Sequence, residues 1–136
     1  MSTSSLIYKG NLRTICTHLE SGNQIITDAP KDNEGNGEAF SPTDLTATSL
    51  AACMLTVMGI KARAMGIDLK STRAEVTKIM VADPRRIGTI HVKIHFAEEE
   101  GLEIENNREI LRRTAITCPV YHSLHPEIEK IVEFIF

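Results

Sequence analysis

The segment from Ser41 to Gly66 limits what this chain can fold into more than any other stretch. Ser41 is a preferred N-cap residue. Pro42 suits the first helical position, where a missing N–H costs nothing, Asp44 falls at the third, and Gly66 follows Met65 as a stop. Asp44 also complements the positive end of the helix dipole. The pattern predicts one long helix. Along it Leu45, Ala47, Leu50, Ala51, Ala52, Met54, Leu55, Val57, Met58 and Ile60 point in nearly every direction. Such a helix is expected to lie centrally, buried against several elements.

The flanking sequence is richer in strands. "SLIYKGNLRTICTHL" has β character and "GNQIITDAP" follows the Ser21-Gly22 turn signal, so the first thirty residues read as a hairpin. "APKDNEGNGEAFSP" concentrates Gly, Asn, Asp and Pro and reads as a surface loop within one domain spanning residues 1–136. "IDLKSTRAEVTKIMVADP" and "RRIGTIHVKIHFAEEE" alternate as two antiparallel strands, with Ile90, Val92, Ile94 and Phe96 on one face and His91, Lys93 and His95 on the other. "GLEIENNREILRRTAIT" carries Leu102, Ile110, Leu111, Ala115 and Ile116 at helical spacing, and Pro119 ends or bends that helix. "VYHSLH" is compatible with a second helical piece, and "IEKIVEFIF" with a last strand.

At 136 residues the chain is long enough to bury about two-thirds of its unfolded surface in one core. A net charge of -3, with Lys and Arg scattered, leaves no footprint for nucleic acid or anionic lipid. No run approaches ~18 uninterrupted apolar residues and the start lacks a signal-peptide pattern, so no membrane partner and a cytoplasmic location are expected. Three cysteines, Cys16, Cys53 and Cys118, are too few and odd in number for a secreted disulfide framework. In a reducing compartment they are structural, metal-binding or catalytic.

Cys53 lies three turns inside the predicted helix, too far from its N-terminal amides for them to stabilise a thiolate directly. On burial preference alone it reads as a core residue. Cys118, in "TCPV", reads equally as the interruption of a helix, and Cys16 as a strand residue. Cys118, His122 and His125 would share one helical face, but prolines 119 and 126 bias the backbone away from that helix and no fourth ligand is clustered with them. No metal and no cofactor are expected. His91 and His95 read as solvated surface histidines, and His18 has no assigned role. A third reading joins Cys53 and Cys118 in space: a thiolate attacks a peroxide, becomes a sulfenic acid, and is rescued by a second thiol. Arg13, in "GNLRTICTH", is the candidate cation, since a fixed guanidinium favours a thiolate and can hold a peroxide oxygen.

"FSPTDLTATSLAACMLTVM" together with "TCPVYHSL" resembles the OsmC/Ohr family of osmotically inducible and organic hydroperoxide resistance proteins, and the resemblance runs from "YKGNLR" through the final strand. It implies an α+β fold in which antiparallel β-sheets wrap long central helices in an intertwined homodimer, with each active site at the subunit interface. It also implies that Cys53 is the peroxidatic nucleophile, Cys118 the resolving thiol and Arg13 the activating cation. The implied substrate is an organic hydroperoxide and the implied reductant an external dithiol. Leu50, Met54, Val57 and Met58 beside Cys53 would suit an apolar pocket. Organic hydroperoxide resistance proteins carry a glutamate directly after the helix-opening proline, pairing with the arginine; this chain has Thr43 there and Asp44 next. The form "SPTDL" is closer to a less characterised branch, so the alternative is a redox-sensing or small-hydrophobe-binding protein that keeps the fold without the peroxidase activity.

Overall fold

The computed structural model describes residues 1–136. The chain forms two compact units, residues 1–46 and 47–136. In the first, three strands pair antiparallel in the order β1 (Ser4–Gly10), β2 (Arg13–His18), β3 (Gln24–Asp28). The expected hairpin around Ser21-Gly22 is β2–β3. A second turn, which the sequence reading did not separate, runs through Gly10, Asn11 and Leu12, all with positive φ, and adds β1 in front of it. Left-handed conformation is uncommon for a leucine, which hides this turn from a residue-type rule.

The sheet carries apolar side chains on both faces. Ile7, Ile15 and Ile26 align across one face and Leu6, Cys16 and Ile25 across the other, yet Ile7 is 63% and Leu6 58% exposed.

The loop 29–40 is held by backbone bonds, with Ala29 N–H donating to Leu12 O, Asp28 N–H to Phe40 O and Gly35 N–H to Pro30 O. Gly35 is required by contact: a Cβ there would lie 1.7 Å from Ala29 O.

Helix α1 (Pro42–Ala64) starts where its caps predict. Ser41 Oγ accepts the Asp44 N–H at 3.1 Å and Asp44 Oδ2 accepts the Ser41 N–H at 3.0 Å, a reciprocal capping box. At the other end Gly66 takes φ 75°, and the N–H groups of Gly66 and Ile67 donate to Arg63 O and Ala62 O, the pattern that satisfies the last helical carbonyls.

The core of the second unit gathers one stripe of α1, Ala47, Leu50, Ala51, Met54, Met58 and Ala62. Much of α1 is covered, as expected. The stripe is sealed, Leu55 and Val57 pack half-buried against the core, and Ile60 is exposed. By length and composition α1 could cross a membrane, although its buried stripe is part of the core of the second unit.

Strands β4 (Arg73–Val81) and β5 (Arg86–His95) pair antiparallel, and β6 (Glu129–Ile135) pairs parallel with β5. Ile90, Val92 and Ile94 face the core as the alternation predicts. On the other face His91 Nε2 meets Glu133 at 2.6 Å and His95 Nε2 lies 3.3 Å from Glu75. Both histidines are therefore about three-quarters covered and beside a carboxylate, not freely solvated, and His91 is hydrogen-bonded to Glu133. The parallel pairing requires a crossover, supplied by α2 (Glu105–Ala115) and α3 (Pro119–Ser123). Leu111 and Ala115 are the buried residues of α2; Leu102 is buried too, but ahead of the helix, and Ile116 is exposed.

Candidate active site

Cys53 sits on α1 beside Met54 of the buried stripe and is itself half-buried. Cys118 reaches the same unit from the far end of α2. The following Pro119 excludes helical backbone at Cys118, which takes φ -63°, ψ 141° and becomes the N-cap of α3. Its Sγ accepts the Tyr121 N–H at 3.3 Å, and the residue is wholly buried.

Cys53 packs against the core cluster in which Cys118 is sealed. Burial pushes the Cys118 thiol up from its ordinary value, the Tyr121 N–H acts in the opposite sense, and the hydrogen bond and charge of Cys53 push it up again. Cys118 thus keeps its proton at neutral pH. As a cap residue followed by proline, it also cannot share a continuous helical face with His122 and His125, and His125 lies beyond α3. Leu50, Met54 and Met58, expected to line a pocket, are sealed in the core with no exposed surface; of the four named, Val57 alone stays partly open. An open cavity of about 560 Å³ elsewhere in this unit is walled by Phe96, Phe136, Arg108 and the Glu98, Glu99, Glu100 run, and neither cysteine lines it.

Arg13 belongs to the first unit. It opens β2 directly opposite Asp28, the last residue of β3. Its Nε donates to Asp28 Oδ1 and its Nη2 to Oδ2, both at 2.7 Å, in a fork-to-fork pair. Glu38 stands 3.7 Å from the same Nη2, and its backbone N–H donates to Asp28 Oδ2 at 3.2 Å. Asp28 is 1% exposed and Arg13 32%. The Asp28 hydrogen bond raises the Arg13 pKa above its ordinary value, and the Arg13 hydrogen bond holds the Asp28 carboxyl below the usual carboxylate range against the effect of burial.

Asp28 belongs to no motif. Its signal was the turn itself, because Arg13 and Asp28 stand equally far from the centre of the β2–β3 hairpin and must face each other if the pairing is regular. Asp44, the acid nearest the expected glutamate position, serves in the capping box, and Thr43 Oγ1 lies 3.2 Å from Ser41 Oγ. Cys16 is half-buried in β2, its sulfur 3.7 Å from Thr14 Oγ1. His18 Nδ1 pairs with Ser21 Oγ at 2.6 Å in the hairpin turn.

No curated protein sequence matches the chain. Among solved structures it is similar to a protein of Psychrobacter arcticus 273-4, provisionally named an osmotic stress induced and detoxification response protein, at 56% identity and TM-score 0.93 over 98% of this chain and 96% of that one. The organic hydroperoxide resistance protein OsmC of Legionella pneumophila, 18% identical with TM-score 0.75 over 100% and 98% of the two chains, shares the fold. So does the organic hydroperoxide resistance protein OhrB of Bacillus subtilis, 17% identical with TM-score 0.64 over 98% of each chain. Residues 35–133 match the sequence model of a family described as OsmC-like protein. The two-sheet α+β architecture and this match agree: the chain belongs to the OsmC family.

Proposed function

We propose that this protein is a thiol-dependent peroxidase that reduces organic hydroperoxides in oxidative or osmotic stress defence, with Cys53 as nucleophile and Cys118 as resolving thiol. The observation that carries the reading is that Cys53, half-buried, packs against the core in which Cys118 is sealed. Reactive cysteines need access and buried ones are inert toward external reagents, so the asymmetry supports peroxide attack at Cys53. The names of the Legionella and Bacillus proteins point to the same substrate class.

In this mechanism the Cys53 thiolate attacks the terminal peroxide oxygen. An S–O bond forms as the O–O bond breaks, and the alkoxide leaves and takes up a proton as alcohol. Cys118 then attacks the Cys53 sulfenic acid, its proton departs with the sulfenate oxygen as water, and a disulfide forms. An external dithiol reduces it by exchange and is itself oxidised. Arg13 is the cation that favours the thiolate and holds the peroxide oxygen.

The two units act as one domain, and two copies of it form a cytoplasmic homodimer. The uncovered apolar faces of the β1–β3 sheet and the open side of α1 favour a partner subunit. The test is peroxide consumption with excess dithiol. Cys53→Ser is expected to fall to the uncatalysed rate, and Cys118→Ser, assayed without dithiol, to consume about one equivalent and yield a Cys53 sulfenic acid in place of the disulfide. Full consumption by Cys53→Ser would refute the assignment.

A further inference from the structure

We propose that the cavity walled by Phe96, Phe136 and the Glu98, Glu99, Glu100 run is a binding site for a small organic cation with an apolar body, of the arylalkylamine class. Its volume of about 560 Å³ lies within the range of small-molecule pockets. It belongs wholly to the second unit and neither cysteine lines it, so the site is separate from the thiol chemistry.

Its walls are fixed without a ligand. The Phe96 N–H donates to Ile135 O at 2.9 Å, carrying the β5–β6 pairing one residue past β5. Beyond it the Phe96 and Phe136 rings stack, 4.1 Å between centroids and 6° from parallel. The loop that leaves β5 is anchored by Leu102, which is sealed in the core. From α2, Asn107 Nδ2 donates to Gly101 O and Arg108 Nε to Leu102 O. Gly101 itself takes φ 96° against Ile67, a turn that a side chain would strain. An aromatic wall and a pinned loop make a pre-formed pocket.

The charges of the walls select the ligand. Glu98, Glu99, Glu100 and Glu103 line the cavity, and Arg108 is the single cation among its walls. That guanidinium is already engaged: besides Leu102 O, it lies 4.0 Å from Glu105 and 4.9 Å from the Phe136 ring. Glu103 accepts the Gly101 N–H, whereas Glu98, Glu99 and Glu100 are exposed. A cation relieves their mutual repulsion, and the same field turns an anion away. A bare metal ion would use the carboxylates but gain nothing from the rings. An amphipathic cation uses both, its head at the carboxylates and its body excluding water from Phe96, Phe136 and Leu102. Because Arg108 and Arg112 already lie over the Phe136 ring, the head is assigned to the carboxylates and not to that ring face.

The probe is 4-phenylbutylamine, titrated into the reduced, isotope-labelled full-length protein at pH 7 and low ionic strength, with backbone amide shifts read by NMR. Saturable shifts are expected at residues 96–103, 108 and 136, with a Kd on the order of 1 mM for a ligand of this size. The uncharged 4-phenylbutanol, and methylamine with the charge but no ring, should each bind about 10-fold more weakly. Glu98→Gln, Glu99→Gln and Glu100→Gln combined change three exposed positions that the fold tolerates and should weaken the amine by about 10-fold. The absence of saturable shifts at these residues would overturn the proposal, as would equal binding of the alcohol or an unchanged Kd in the triple variant. Equal binding of methylamine, or the same shifts from magnesium chloride alone, would also overturn it and mark the acidic run as a solvated surface that gathers counterions.

Discussion

Helix α2 is attached to the core by very little. Leu111 and Ala115 are its buried residues, and Leu111 has no exposed surface. Leu111→Ala removes three carbons, a transfer loss of about 2.4 kcal/mol at ~0.8 kcal/mol per buried carbon. The core around it, formed by rigid elements such as β5 and α1, cannot fully collapse into the gap, and the residual cavity brings the cost to about 3–4 kcal/mol. Arg108 and Arg112 lie 4.9 and 5.2 Å from the Phe136 ring, but such contacts contribute only ~0.5–1 kcal/mol each at exposed sites and are present before and after the change. Urea unfolding at one fixed protomer concentration is the assay, since a dimer's stability depends on that concentration. The midpoint should fall by roughly 1.5–2 M if the slope is about 2 kcal/mol/M, with the slope itself unchanged. Ile116→Ala, at an exposed position just past the helix, should stay within ~0.5 kcal/mol of wild type. A loss below ~1 kcal/mol for Leu111→Ala, or equal losses for the two variants, would refute this picture of how α2 is held.

Ser41→Ala removes the acceptor for the Asp44 N–H and should cost about 1 kcal/mol, read in the same titration. Gly35→Ala drives a Cβ into Ala29 O; backbone must move, and a loss of roughly 1–3 kcal/mol with altered amide shifts in residues 29–40 is expected. The Arg13–Asp28 pair also sets an acid limit. Because the Asp28 pKa is lowered in the fold, its contribution is complete above the unfolded value of about 3.9 and is lost as pH falls through the folded value. Exchange of the Glu38 amide, which donates to Asp28, should accelerate relative to its intrinsic rate below about pH 4, and no such change in Asp28→Asn would be consistent with this cause. For Cys118 the sign is reversed: its raised pKa contributes stability below the ordinary thiol value of about 8.5, and melting temperature should decline as pH rises beyond it, but not in Cys118→Ser.

Local chemistry was the most readable part of this sequence. The two ends of α1 are fixed by Ser41, Pro42, Asp44 and Gly66, whose capping bonds span a few residues, and all form as expected. The alternation in β5 likewise identified Ile90, Val92 and Ile94 as core. Non-local relations were harder. Nothing in "IEKIVEFIF" says that it pairs parallel with β5, since that depends on the crossover through α2 and α3. The apolar surface of α1 predicted burial, but composition cannot tell cover by the same chain from cover by another, and Ile60 remains exposed. At the candidate site the two cysteine motifs stood out as sequence, whereas Asp28 did not. A carboxylate at a strand end acquires its meaning from the register that places it opposite Arg13.

The two-thiol mechanism is tested most directly by mass spectrometry of the reduced protein after one equivalent of cumene hydroperoxide, with turnover followed in excess dithiol. It predicts a Cys53–Cys118 disulfide as the main oxidised species, Cys16 still free, and sustained peroxide consumption. Intact Cys53 and Cys118 thiols with no turnover would contradict it and would mean that the OsmC fold serves binding or sensing in this protein.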